Sequence, residues 1–366
     1  MGKHSPRVRL IAAAAALIAI GAAAWQANGW LANVRIRQQT EAALEARDFD
    51  TASRLIDECL RARPRDGEIL LLAAQAARRQ AKFDDAAEWL RRAERSNAST
   101  EMIELERALA VLQTGESGAV GHYLEVAEQN PDLPVSKLLL EAIVAGALVR
   151  LDLPVAAHAI RIWDKSATTA EFQALSAEWK GEISIRRGEV NEAADAYHRA
   201  IELAPTVSRR LRLADLLARQ DPTAALAQLD LLSTMSTTHA SQESNASESV
   251  PVLLIRARCQ RALGDAEQAD AILVQLLAHQ PEHYEGLVER GQLALEQRRN
   301  EVAESCLRAA VAQRPQGREA LQALARCLQL VGKSEEAREV RERVAKIDQA
   351  LDQRIRQLQQ QGRIQP

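Results

Sequence analysis

The chain has 366 residues, a formal net charge of −3 and 47% hydrophobic residues, yet only 3% are aromatic. A near-neutral balance excludes a general nucleic-acid binder, which needs a basic surface to displace counterions. Many small and aliphatic side chains with few rings suit thin helix pairs better than a thick core, and such arrays grow by addition.

Residues 1–9 form a basic flank with Lys3, Arg7 and Arg9. Leu10 to Trp25 then runs sixteen residues without a charge. As a helix this spans about 24 Å, somewhat short of a ~30 Å hydrocarbon core. Val8 and Ala27 can lengthen it, and Trp25 and Trp30 suit the far interface, so residues 10–30 are expected to form a single-pass membrane anchor. A signal peptide cleaved after Ala24 has the same shape, with small Ala22 and Ala24 before the cut. Apolar character continuing through Leu31, Val34 and Ile36 favours retention. In both cases the basic flank stays inside, so the body is expected to be extracytoplasmic (periplasmic), or secreted after cleavage.

Residues 33–232 carry about six helix pairs, some degenerate. Phe49-Asp50-Thr51-Ala52 and Phe83-Asp84-Asp85-Ala86 are the same turn into a second helix, 34 residues apart, and Pro64 closes the first unit. The third unit keeps Ala119, Tyr123, Val126 and Pro131. Leu138–Val149 in the fourth is apolar but too short to cross a bilayer, so it is expected as a buried helix. Pro154 and Pro222 sit where second helices start, where a missing N–H costs nothing. In the fifth unit Gly181, Gly188, Ala193, Tyr197, Ala200 and Pro205 keep the spacing; in the sixth the first helix is shortened. Residues 233–249 are Ser/Thr-rich without apolar period, and are expected to be a mobile loop that lets the last block move relative to the first. Asn245-Ala246-Ser247 within it matches a glycosylation acceptor, a cheap signal.

Residues 250–349 repeat in register. Ala269, Ala303 and Ala337 are 34 apart, as are Pro281 and Pro315, and as are Ala257, Gly291 and Ala325. Gly264 and Gly332 follow first helices, with Asp265, Asn300 and Ser334 as candidate N-caps of the second. From Tyr284 as position 1, Leu287, Gly291, Ala294, Ala303, Leu307, Ala310 and Pro315 take positions 4, 8, 11, 20, 24, 27 and 32. This register resembles the tetratricopeptide repeat. The resemblance implies an all-α fold: a right-handed superhelix of antiparallel helix pairs A and B, preceded here by one transmembrane helix. Small residues would let A and B approach, namely Ala52, Ala86, Gly181, Ala193, Ala269, Gly291, Ala303 and Ala337.

The resemblance also implies protein or peptide partners bound on the concave side by helix A positions 2, 5, 9, 12 and 13. Carried over, these are Leu254, Arg258 and Arg261; Glu285, Gln292 and Glu296; and Gln322, Arg326 and Gln329. Arg209, Arg212 and Arg219, and Gln75, Arg78 and Arg79, line up similarly. The carboxylate clamp of chaperone-binding members needs Lys, Asn and Arg at set positions, but position 9 holds Glu41 and Gln75 in the first two repeats, which disfavours it.

Chemistry-bearing motifs are lacking. There is no HExxH, no Walker loop and no GxGxxG after a strand, and Gly115-Glu116-Ser117-Gly118 is not GxSxG. Cys59, Cys259, Cys306 and Cys327 form no CxxC pair and suit packing. His279 and His283 flank Pro281, which breaks the helix a metal pair would need. The expectation is a non-enzymatic scaffold without cofactor or metal, in bacterial envelope assembly, secretion or maturation. The last helix continues through Val340, Val344, Ile347, Leu351, Ile355 and Leu358. Residues 350–366 are expected as a capping helix and tail, or as a short coiled coil that self-associates into a structural subunit.

Overall fold

The computed structural model describes residues 34–44, 47–96, 98–115, 118–238 and 249–360. Those residues form eighteen helices and no strand. The expected anchor at 10–30 and the acceptor at Asn245 lie outside the described residues. Among the described residues no helix is long and apolar enough to cross a membrane.

The chain divides into two compact units, residues 1–123 with 141–146, and 124–140 with 147–366. In the first, α1 (34–44) and α2 (Phe49–Ala62) make one pair, and α3 (Gly67–Arg79) and α4 (Phe83–Glu94) the next. α5 (Thr100–Thr114) follows, and α6 (Val120–Gln129) and α7 (Pro134–Val149) each contribute residues to both units. The second holds α8 (Leu153–Ser166), α9 (Ala170–Arg187), α10 (Val190–Leu203), α11 (Val207–Leu217) and α12 (Pro222–Thr238). α13 (Val250–Ala262), α14 (Ala266–His279), α15 (Tyr284–Glu296), α16 (Asn300–Gln313), α17 (Arg318–Leu330) and α18 (Ser334–Gln360) complete it. Odd-numbered helices are A helices and even-numbered ones B helices.

Each pair closes around a small residue. Ala52, Ala193, Ala269, Ala303 and Ala337 are fully buried and Ala86 nearly so. At Gly291 an added Cβ would lie 2.6 Å from Leu307 Cγ, and at Gly181 3.0 Å from the Tyr197 ring. The bulky residue at position 24 therefore seats directly on the small one at position 8. Burying each such leucine contributes about 1.5–3 kcal/mol.

Most A-to-B turns pass through one left-handed residue. It is Gly115, Gly188, Gly264 or Gly332 in four pairs, but Arg47, Ala81, Leu151 or Arg298 in four others, with φ of 58° to 59°. A glycine signal thus misses half of these turns. Asp265 caps α14 by accepting from the Gln268 N–H at 3.0 Å. Asn300 and Ser334, expected as caps, are instead the first residues of α16 and α18, and the cap of α16 is Arg299. Their side chains sit one residue too late to reach the free N–H groups.

The stretch expected as a mobile loop from 233 begins as helix, because α12 runs on to Thr238. Nor are the pairs on either side independent. Leu229 and Leu232 of α12 share one buried cluster with Val252, Ile255 and Cys259 of α13. That core joins α12 and α13, the helices on either side of the stretch. Residues 239–248 lie outside the described residues.

Candidate partner-binding surface

Adjacent A helices in the second unit are tied by a ladder of charges. Repeats stack A helix beside A helix, so a side chain on one meets the next about one turn earlier in register. Arg209 of α11 reaches back to α9, donating to Glu171 at 2.7 Å and Glu178 at 3.2 Å, and also to the Ala204 carbonyl. Arg212 bonds Glu182, which also accepts from the Tyr197 hydroxyl at 2.8 Å. Burial, then the neighbouring Glu182 charge, pushes that phenol far above its ordinary range. Arg258 of α13 spans Asp215 of α11 at 2.7 Å and Glu289 of α15 at 2.6 Å. Arg261 donates to Gln292 at 3.1 Å, sits 3.2 Å from the second oxygen of Glu289, and lies 3.5 Å from Glu296. Gln292 continues the row by donating to Glu319 of α17 at 3.0 Å.

This places the expected contact residues in two groups. Arg209 is buried, while Arg258 and Arg261 are mostly covered and held by Glu289, itself 3% exposed. Burial works against the charge on Arg258, but its paired carboxylates outweigh it and raise its pKa. These three arginines therefore join repeats, and a ligand would have to displace a carboxylate to use them. Glu285 is engaged by Arg314 at 2.8 Å. Glu296, Arg212, Arg219, Gln322 and Arg326 remain exposed. Arg326 has no ion-pair partner among the described residues. Sequence reasoning misses Glu289, because it looks at ligand-facing positions and not at position 6; an acid about 30 residues after an A-helix arginine is the signal that finds it.

The first unit contains a more buried version. Arg78, 2% exposed, donates to Glu106 at 2.7 Å and to Gln113 at 3.1 Å, and Gln113 donates back to the Arg78 carbonyl. Arg79 donates to the Leu44 carbonyl at 2.8 Å. The resemblance implies a ligand-facing row for both, and the structure makes both packing residues.

The family model described as the tetratricopeptide repeat matches residues 38–99, 256–304 and 288–351. Those segments are tetratricopeptide repeats. The chain is similar to the APC/C hetero-tetramer Cut9-Hcn1, at 14% identity and a TM-score of 0.53, over 81% of this chain and 56% of that one. It is also similar to TTC0263, a thermophilic TPR protein in Thermus thermophilus, at 18% identity and a TM-score of 0.41, over 50% of this chain and 96% of that one. A third is YrrB, a TPR protein with an unusual peptide-binding site, at 16% identity and a TM-score of 0.37, over 56% of this chain and 98% of that one. At such identities the likeness is one of fold. No curated protein matches the chain.

All four cysteines are buried and free, and burial pushes the Cys259 thiol up to about 11. His283 caps α15, its Nδ1 accepting from the Gly286 N–H at 3.1 Å. Among the described residues no group of three His, Cys, Asp or Glu side chains could hold a metal ion. The matched family indicates no catalytic activity.

Proposed function

We propose that this chain is a membrane-anchored tetratricopeptide scaffold that holds partner proteins along its A-helix face, with the repeats outside the cytoplasm, serving envelope assembly, secretion or maturation. The observation that carries the binding part is the row of polar side chains from α9 to α17, which ends in exposed Gln322 and Arg326. The anchor and its orientation rest on the basic flank and apolar run of residues 1–30, with a soluble secreted form as the outcome if that run is cleaved. Contacts are assigned to Glu296, Gln322, Arg326 and Gln329, since Arg209, Arg258 and Arg261 serve the ladder.

Copurification from mildly solubilised membranes tests the scaffold. Wild type should capture a defined set of proteins, and the Gln322→Ala/Arg326→Ala variant should lose it with an unchanged melting temperature. Capture of nothing by the wild type overturns the reading. Retention in the membrane pellet after an alkaline wash supports the anchor, and release of a chain beginning at Trp25 overturns it. A second reading, self-association through α18, draws on Leu351, which is half exposed on the same stripe as buried Val340 and Val344. A monomeric mass by light scattering would exclude it.

A further inference from the structure

The groove between α13 and α14 is filled by the next A helix. Leu293 of α15 joins Leu253, Leu254, Ala257 and Leu276 in one buried cluster. Gly286 of α15 lies so close to α14 that an added Cβ would be 2.7 Å from Leu276 and 3.4 Å from Leu277. Glu289 then sits against Arg258 and Arg261.

Sixty-eight residues later, two repeats on, the same positions recur in α17 and α18. Ala257 becomes Ala325, Arg258 becomes Arg326, and Leu276 and Leu277 become Val344 and Ala345. Among the described residues no helix follows to fill this groove, which has a volume of about 420 Å³. Its floor includes Val344 and Ala345, with Leu330 at its edge, 56% exposed. Two cations face it. Arg326 has no carboxylate, and Arg341 donates to Gln329 at 2.9 Å. The acid in the lining, Asp348, is already bound by Arg318.

We propose, resting on the scaffold reading above, that this groove accepts an acidic amphipathic helix from a partner protein, seated as a tenth A helix. Its carboxylate pairs with Arg326 as Glu289 pairs with Arg258. Charge complementarity selects the occupant: the open groove has lost the leucines at positions 5 and 24 of the α13/α14 groove to Gln322 and Arg341. It is more polar than the filled one and keeps two cations, since Arg341 appears where Arg261 has become Gln329; with Arg326 lacking a carboxylate, it suits a reversible acidic guest. Val344 and Ala345 are smaller than the leucines they replace, so the guest can carry a side chain where α15 needs Gly286. Head-to-tail stacking of a second copy does not supply the acid, because the corresponding position of α1 is Gln38.

The probe is a helix-stabilised, dye-labelled peptide with the sequence Tyr284–Glu296, titrated with the full chain and followed by fluorescence anisotropy. The parent peptide should bind, and its E289Q version should bind about tenfold more weakly, the scale of one charge-assisted hydrogen bond. An R326E chain should fail to bind the parent peptide but bind an E289R peptide, and a G286A peptide should bind at least as well as the parent. Absence of binding, or equal binding of the parent peptide to the R326E chain, overturns the proposal. So does a dimer that R326E dissociates, since the occupant is then a second copy. If partners copurify while the peptide fails, this groove assignment falls and the scaffold stands. If the peptide binds while nothing copurifies, the groove stands without the scaffold.

Discussion

Arg258 and Arg326 occupy the same position two repeats apart, in the same arrangement of helices, and meet opposite fates. Arg258 has an A helix on either side and bonds a carboxylate from each. Arg326 lies on α17, the last A helix among the described residues, and is exposed, without an ion-pair partner among them. The difference teaches that in a stacked array the role of a position depends on whether a neighbour follows. Between two A helices this arginine is cement between repeats; with no A helix beyond it among the described residues, the same residue is a free donor.

The largest effect expected from this contrast is on stability. Arg258→Ala with Arg261→Ala strips Glu289 of both cations while it stays buried, and should cost about 3–5 kcal/mol. Arg326→Ala should lie within about 0.5 kcal/mol of wild type. Urea denaturation followed by helical circular dichroism measures both, and equal midpoints would break the comparison. A triple variant at Arg258, Arg261 and Arg326 would therefore mix unfolding with lost binding.

Packing gives the next effect. Ala303→Leu places a large side chain at a fully buried crossing and should cost about 1–3 kcal/mol. Ala345→Leu projects into the open groove, so it should be nearly neutral and should narrow the groove for the peptide. A neutral Ala303→Leu would mean that the register is wrong.

Backbone strain comes third. Arg298 is exposed and adopts φ of 59° where Gly264 and Gly332 stand in the neighbouring repeats. Relief of left-handed strain, worth about 1–2 kcal/mol, is partly offset by the freer unfolded chain. Arg298→Gly should raise the melting temperature slightly and Gly332→Ala should lower it. The opposite order in a thermal scan would refute the account.

The smallest effect is a pH dependence. Burial raises the pKa of Asp270, but hydrogen bonds from Arg299 at 2.7 Å and Arg290 at 3.1 Å outweigh it and hold the carboxyl below the usual range. A depressed folded pKa contributes stability above the ordinary value, near ~4, that is lost as pH falls through the lower folded value. Asp270→Asn should therefore be less stable near neutrality and lose less on acidification, with the two curves converging at low pH. Parallel curves in pH-dependent melting would contradict this.

The sequence by itself determined the local architecture. Alanines at 34-residue spacing, prolines after B helices, and the small residue at position 8 under the bulky one at position 24 are decided within one helix pair, where contacts are close along the chain. Left-handed turns at Gly188, Gly264 and Gly332 were legible for the same reason. Those at Arg47, Ala81, Leu151 and Arg298 were not, because packing of the pair imposes the turn on whatever residue stands there.

Which arginines face solvent was decided only by the tertiary structure. The resemblance assigns Arg209, Arg258, Arg261 and Arg326 to one face, but a repeat register is blind to the charge on the next helix. Glu289 and Glu178 lie 31 residues from the arginines they hold. A charge is neutralised by what lies within a few ångströms. In a solenoid that neighbour belongs to another repeat, so whether a repeat stacks on each side separates the cement from the free groove.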